Sequence, residues 1–328
     1  MPLESKRRFI DYFKNFNYEK LGSLIALAAL FIISGIANPI FFRPLNIMNI
    51  LRQISYVGTI ALGMTFVIIS GGIDLSVGSL MALLGGIMII VINQFGGNVL
   101  AILIAMVVGA GLSVVLGFGT GLLITKGKIA PFIATLGTMA IYRSLVLYFA
   151  NGGEYRSISS IYPKIGGGKI PLGESFFIPT PVIIFFVYAI ICHIILDKTR
   201  FGRYVYAIGS NESAAIYSAI KVDRVKTMTY MIVGFSVFLT SLMLSSRMNS
   251  VSSTSAGLGF ELDAIAAVVI GGTSMKGGRG WIWGTVFGAI ILGIINNMLN
   301  LLNVSPYLQG AVKGLVIIGA VLIQRKRS

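Results

Sequence analysis

The chain has 328 residues, of which 55% are hydrophobic and only 11% charged. Soluble domains carry roughly 25% charged residues, so a water-soluble globule is excluded and a membrane protein is expected. The formal net charge of +15 is no nucleic-acid signature, because the basic residues gather in loops between apolar spans rather than on one soluble face.

The 40 glycines fit a bundle in a membrane, where small residues let helix backbones approach closely. One cysteine, Cys192, and one histidine, His193, cannot assemble a disulfide framework or a Cys/His metal site. A histidine base would have to be His193, at the end of an apolar span, where packing is the plainer reading.

A basic, aromatic-rich start (Lys6, Arg7, Arg8, Phe9, Tyr12, Phe13) precedes an apolar run that lacks a convincing cleavage site, so no cleavable signal is expected. A crossing helix needs about 20 apolar residues. On that basis spans are predicted at 21–37, 54–70, 75–94, 99–125 and 132–150. After a loop at 151–176 they resume at 177–196, 228–246, 260–272, 281–302 and 307–323. The fold class is therefore an all-α polytopic membrane protein of about ten helices. It forms one transmembrane domain over 1–328, with a cytoplasmic tail at 1–20.

The segment 260–272 is short enough to be re-entrant, and charge decides against that. With ten crossings, one side receives Lys6, Arg7, Arg8, Lys14 and Lys20, then Lys126 and Lys128. The basic residues of 198–226, Lys276, Arg279 and the terminal Arg325-Lys326-Arg327 fall on the same side. The other side keeps Arg43, Arg52, Arg156, Lys164, Lys169 and Arg247. The positive-inside rule then puts both termini in the cytoplasm.

Between the second and third spans lies Gly71-Gly72-Ile73-Asp74-Leu75-Ser76, a break that a lipid-facing helix could not tolerate. Backbone groups freed there, with a carboxylate beside them, need protein or water, and such a break builds a cavity, gate or path. Gly271-Gly272 follows the eighth span in a similar way. Asp74 and Asp263 each lie near a helix start, so the halves read as a possible inverted repeat. Gly117-x-x-x-Gly121 and Gly284-x-x-x-Gly288 each put a smooth strip on one helix face. Trp281 and Trp283 read as anchors at the headgroup level.

The connection 198–226 is not a random tether. Arg200-Phe201-Gly202-Arg203-Tyr204 is basic and aromatic, and it runs on through Gly209 to Asn211. Asn211 is a plausible N-cap, with Glu212 suited to the positive helix end. The following turns, with Ala214, Ala215 and Ile220, are small and apolar. They suit either a docking helix for another protein or a short helix lying on the membrane surface.

Candidate pathway residues carry two readings each. Asp74, beside Ser76, is either an N-cap of the third span or a gate carboxylate, and Glu261 and Asp263 allow the same pair. Arg143 and Lys313 lie inside spans, where a cation costs about 2.5–3.5 kcal/mol. Each needs a partner, a wet cavity or an interface, or else snorkels to a boundary. Asn296, Asn300 and Asn303 share one face of the ninth span, and Gln309 and Lys313 pair likewise on the tenth. Such amides either line a path for sugar hydroxyls or act as interhelical glue.

Several long stretches carry a resemblance. They are Gly63-Met64-Thr65 leading into Ser70 to Ser79, Phe132-Ile133-Ala134-Thr135-Leu136-Gly137, and Thr199-Arg200-Phe201-Gly202-Arg203-Tyr204. Phe260 before Glu261-Leu262-Asp263-Ala264-Ile265-Ala266-Ala267, Gly271-Gly272-Thr273-Ser274, and Asn296-Asn297 ahead of Asn300-Leu301-Leu302 complete the set. In this order and over nearly the full length, the chain resembles the permease subunits of bacterial monosaccharide ABC importers, their ribose-type branch most of all.

The resemblance implies two permease copies forming a pathway in the bacterial plasma (inner) membrane. It further implies a cytoplasmic ATPase docked on the 198–226 loop and an extracytoplasmic sugar-binding protein delivering substrate. It implies no catalytic residue, metal or cofactor on this chain, with ATP and Mg held by the ATPase. The absence of a Gly-x-x-x-x-Gly-Lys-Ser/Thr loop agrees. One departure is Ala219, near a position where the family usually has glycine, so the docking helix is expected to end differently. Rival readings are an ion-coupled carrier using Asp74, Glu261 and Asp263, and a permease for nucleosides or branched-chain amino acids. An intramembrane enzyme lacks a Cys/His constellation.

Overall fold

In the computed structural model, residues 18–171 and 176–325 are described. Lys6, Arg7, Arg8, Lys14, Lys326 and Arg327 lie outside them. The chain is mostly helical. In order it forms α1 (Tyr18–Ala37), a 3-10 turn (Pro39–Phe42), α2 (Pro44–Ile69), α3 (Val77–Gln94), α4 (Val99–Thr125) and α5 (Pro131–Phe149). The middle region holds β1 (Glu154–Arg156), the short α6 (Pro163–Gly167), β2 (Lys169–Pro171) and β3 (Phe177–Pro179). Then come α7 (Thr180–His193), running on into a π-helical turn (Ile194–Lys198), α8 (Arg200–Ser210), α9 (Glu212–Tyr217) and α10 (Val222–Met248). The last elements are β4 (Ser250–Ser252), α11 (Phe260–Ile270), α12 (Ile282–Leu301) and α13 (Pro306–Arg325).

Among the described residues, 7 helices are long and apolar enough to cross a membrane. The expected spans at 21–37, 260–272 and 307–323 are not among them; the apolar stretch of α1 is Ile25–Ala37, and α11 has only 11 residues. A second correction concerns α2, which starts at Pro44 rather than near 54. Proline is suited to the first turn, and the polar turns that follow hide the helix from an apolar-run reading. The loop 151–176 is not featureless either. β1 pairs antiparallel with β4, Glu154 opposite Ser252, and β2 pairs with β3.

α2 is the central post, with Ile60, Leu62, Met64 and Phe66 wholly buried. It runs antiparallel to α10, since Thr240 Oγ1 donates to Tyr56 O at 2.8 Å and a side chain at Gly63 would strike Ser236. It also runs antiparallel to α12: the Thr65 and Thr285 hydroxyls lie 2.7 Å apart, and Asn46 and Asn297 exchange amide hydrogen bonds of 3.1 and 2.8 Å. Hydrogen bonds between helices average about 0.6 kcal/mol in a bilayer, so close packing carries most of the association.

Both glycine strips serve that packing. A Cβ at Gly121 would meet Thr227 Cα of α10 at 2.8 Å, and one at Gly288 would strike the Ala267 carbonyl of α11. Trp281 lies just before α12. Its indole N–H turns inward and donates to Gly271 O at 3.2 Å. His193 has a local role, with Nδ1 2.9 Å from Asp197 Oδ2 one turn on.

Candidate functional site

The first break opens with a helix stop. Gly71 takes φ +83°; its N–H reaches Ile68 O at 3.0 Å and that of Gly72 reaches Val67 O at 2.9 Å. These two bonds make a Schellman end, which needs a left-handed residue and so favours glycine. The chain then runs non-helically to Ser76. Tyr230 of α10 donates its hydroxyl to Ile73 O at 3.2 Å, supplying a donor that a helix would otherwise provide.

Asp74 is buried, 4% exposed, and its Oδ1 accepts from both Ser76 N (2.8 Å) and Ser76 Oγ (2.7 Å). The N-cap reading of Asp74 is therefore corrected: Ser76 occupies that position, without a side-chain capping bond. Asp74 instead closes a tight turn that aims the chain into α3.

The second break follows β4. Residues 253–259 lack regular structure, with Gly257 at φ +75° and Gly259 at φ +79°. Arg143 of α5 spans the freed carbonyls, Nη1 to Ser253 O at 2.9 Å and Nη2 to Ala256 O at 2.8 Å. Its intramembrane charge thus finds backbone partners rather than snorkelling.

The second break packs on the first turn of α3, directly after the first break, because a Cβ at Gly78 would collide with the Gly257 carbonyl. Around this contact Ser79, Ser144, Arg143 and Glu261 line a cavity of about 420 Å³. Gly259, not Glu261 or Asp263, occupies the N-cap position of α11, so the capping reading of both acids is also corrected. Asp263 Oδ2 instead holds Lys313 Nζ at 3.0 Å, tying α11 to α13.

The two glycine pairs do not mark equivalent places in the two halves. Each half has a long helix, an unwound stretch and a second helix preceded or opened by acid: α2, 70–76 and α3, then α10, 253–259 and α11. Gly272, at φ +92°, makes the same Schellman stop as Gly71, but it ends α11 rather than a counterpart of α2.

The expected polar face on α12 is not continuous. Asn303 has φ +55° and lies beyond the helix end, so it shares no face with Asn296 and Asn300. Asn300 Oδ1 accepts from Gln309 Nε2 at 2.9 Å, which is interhelical glue. Asn296 Oδ1 is buried with no hydrogen-bond partner among the described residues. The reciprocal pair of Asn46 and Asn297 was missed, because a lone asparagine in a helical run does not announce its mate.

The 198–226 connection folds as two helices clamped on one end of the bundle. Thr199 Oγ1 caps α8 by accepting from Gly202 N at 3.2 Å, and Gly202 leaves no room for a side chain over Leu196 O. Phe201 stacks on Phe66 with ring centroids 6.3 Å apart, while Arg203 is exposed and Arg200 is the first residue of the helix. Gly209 packs directly on the Ile69 carbonyl at the lip of the first break, and Gly278 N donates to that same oxygen at 2.9 Å. Tyr206 donates to Gly280 O at 2.8 Å. Burial, then the Asp197 charge, pushes its phenol well above the usual range.

Asn211 caps α9 as expected, accepting from Ala214 N at 3.0 Å. Glu212 Oε2 is 2.6 Å from Lys226 Nζ. Ala215 corrects its assignment to a docking face: it is only 3% exposed and points into the chain. The outward edge of α9 is Ala214, Ile216 (58% exposed) and Tyr217 (91% exposed), with Ile220 half-buried behind it. Ala219 does take the left-handed turn, at φ +58°. The Schellman bonds are made there without glycine, from Ala219 N to Ile216 O and from Ile220 N to Ala215 O.

Membrane-length helices, two facing interruptions and an elbow clamped beside one of them define a multi-pass membrane permease. Over residues 46–321 the chain matches the family described as branched-chain amino acid transport system, permease component, and it belongs to that family. It is 49% identical over 312 residues to the ribose import permease protein of Bacillus subtilis (strain 168), covering 94% of each chain. It is 42% identical to the ribose import permease protein of Escherichia coli (strain K12), covering 93% of each. The D-allose transport system permease protein of the same strain is 35% identical, over 95% of this chain and 94% of the relative. No solved structure matches the chain.

Proposed function

We propose that this chain is the transmembrane permease subunit of an ATP-driven importer for a ribose-type monosaccharide, forming the pathway and driven by a separate ATPase. The end-to-end correspondence with the Bacillus subtilis ribose import permease, at 49% identity, carries the reading. In it ten segments cross the plasma membrane, α3 and α11 completing their crossings with unwound chain. Lys126, Lys128, Lys276 and Arg279 lie on the same side as the 198–226 loop, so that side and both termini are cytoplasmic.

Two copies enclose the path, an extracytoplasmic binding protein delivers sugar, and the ATPase seats on α8 and α9. Mechanically, Gly209 rests on the Ile69 carbonyl, so a push on α9 arrives at the residue where α2 stops and the Gly71-Gly72 break begins. Asp74 with Ser76 and Arg143 with the 253–256 carbonyls hold the two unwound stretches in register. The chain supplies no bond-making chemistry and binds no cofactor.

The test is reconstitution in vesicles. Labelled ribose should accumulate only when the partner ATPase, its binding protein and ATP are all present. Uphill accumulation by the chain alone, or accumulation that follows an ion gradient instead of ATP, overturns the proposal.

A further inference from the structure

Between the last turns of α4 and the first turns of α10, beside α9, lies an open groove of about 850 Å³. Its two ends differ in chemistry. Phe118, Leu122, Met228 and Met231 make an apolar trough, and Phe118 and Met228 remain 45% and 40% exposed. The trough is continuous with the outward face of α4, where Val107, Val115 and Leu123 are exposed as well.

At the other end the rim is ionic. Lys126, Lys128, Lys221 and Arg224 face only Asp223 and Glu212. Both acids are already engaged: Asp223 lies between Lys126 Nζ at 3.2 Å and Lys128 Nζ at 3.6 Å, and Glu212 holds Lys226. Lys221 and Arg224 are exposed and form no ion pair among the described residues. Lys221 also stands at the N-cap of α10 without making a side-chain capping bond, so the positive helix end adds to the local cationic character.

An apolar trough open to the bilayer and ending in a surplus of cations matches one class of molecule. We propose that the groove binds an anionic glycerophospholipid. Its phosphate sits at Lys221 and Arg224, and one acyl chain lies along Phe118, Leu122, Met228 and Met231. Glu212 and Ile216 of α9 share the groove, so the lipid braces the elbow that takes the ATPase. This rests on the proposed orientation, in which this end meets the cytoplasmic leaflet, where anionic headgroups attract juxtamembrane cations.

The test uses the full chain carrying Phe118→Trp, in symmetric vesicles of phosphatidylcholine with brominated phosphatidylglycerol or brominated phosphatidylcholine at equal fraction. Fluorescence of the parent chain is subtracted as background for Trp281 and Trp283. The inserted indole should be quenched at least two-fold more by the anionic lipid, and Lys221→Gln with Arg224→Gln should bring the ratio to one. Equal quenching by both lipids, or an anionic preference unmoved by the double substitution, overturns the proposal. So does an anionic preference erased when the partner ATPase is added, which would assign the groove to a protein segment.

Symmetric vesicles present both lipids on both faces, so an error in the orientation or in the transport assignment leaves this result intact. As a check independent of Phe118→Trp, native mass spectrometry of the unsubstituted chain should retain phosphatidylglycerol over phosphatidylcholine. Equal retention counts against the site.

Discussion

Ala219 stands at φ +58° where α9 ends, in a region where an L-residue's Cβ crowds the following carbonyl oxygen at about 1–2 kcal/mol. Glycine carries no such penalty but loses more chain entropy. Ala219→Gly should therefore stabilise the folded chain by about 1 kcal/mol, read as a higher midpoint in thermal unfolding; a lower midpoint would show that the turn is unstrained. Gly209 has the opposite sensitivity. Any side chain there meets the Ile69 carbonyl, and overpacking costs about 1–3 kcal/mol. Gly209→Ala should leave membrane insertion intact while sharply reducing uptake, since α8 must lift from the lip of the first break. Normal uptake by Gly209→Ala would remove this contact from the transmission path.

Among the elements, α11 is too short to cross alone and is held by its neighbours. Lys313 and Asp263 make a sheltered pair, 26% and 15% exposed at their side chains. Removing one partner strands a charge, which costs about 3–5 kcal/mol for a buried pair and less for one partly screened. Lys313→Met should thus lower folded yield more than Lys313→Met combined with Asp263→Leu; equal losses would mean that the pair does not couple α11 to α13. Arg143 is the clasp of the same region. Arg143→Lys keeps the charge but loses the fork that reaches two carbonyls, so uptake should fall even though insertion persists.

The long apolar helices were legible in the sequence because the bilayer demands them. The first turns of α2 were not, because Asn46, Asn49, Arg52 and Gln53 look like loop until Asn297 is placed opposite Asn46. The glycine pairs revealed helix stops but not the second unwound stretch. Two of its carbonyls, those of Ser253 and Ala256, are held by Arg143, an arrangement that no residue spacing encodes.

At the scale of the whole molecule, the second break meets the first turn of α3 at Gly257 and Gly78, and the elbow is clamped where Ile69 ends α2. Force applied to α9 has a short route inward through Gly209, Ile69 and Gly278, because these backbones touch without side chains between them to deform. That the 198–226 loop forms a capped helix was legible from Asn211. Which face it offers was not, since six residues are too few for a periodic pattern and Ala215 turned out to be core. The outward pair Ile216 and Tyr217 carries the exposed apolar surface. Burial of a large side chain contributes about 1.5–3 kcal/mol, so each would account for a substantial share of ATPase affinity. Ile216→Asp and Tyr217→Asp should abolish co-purification with the ATPase while leaving the thermal midpoint of the permease unchanged. Ala215→Asp should instead lower that midpoint, because a carboxylate would be forced into the bundle. Retained co-purification in both outward variants would move the docking surface off α9.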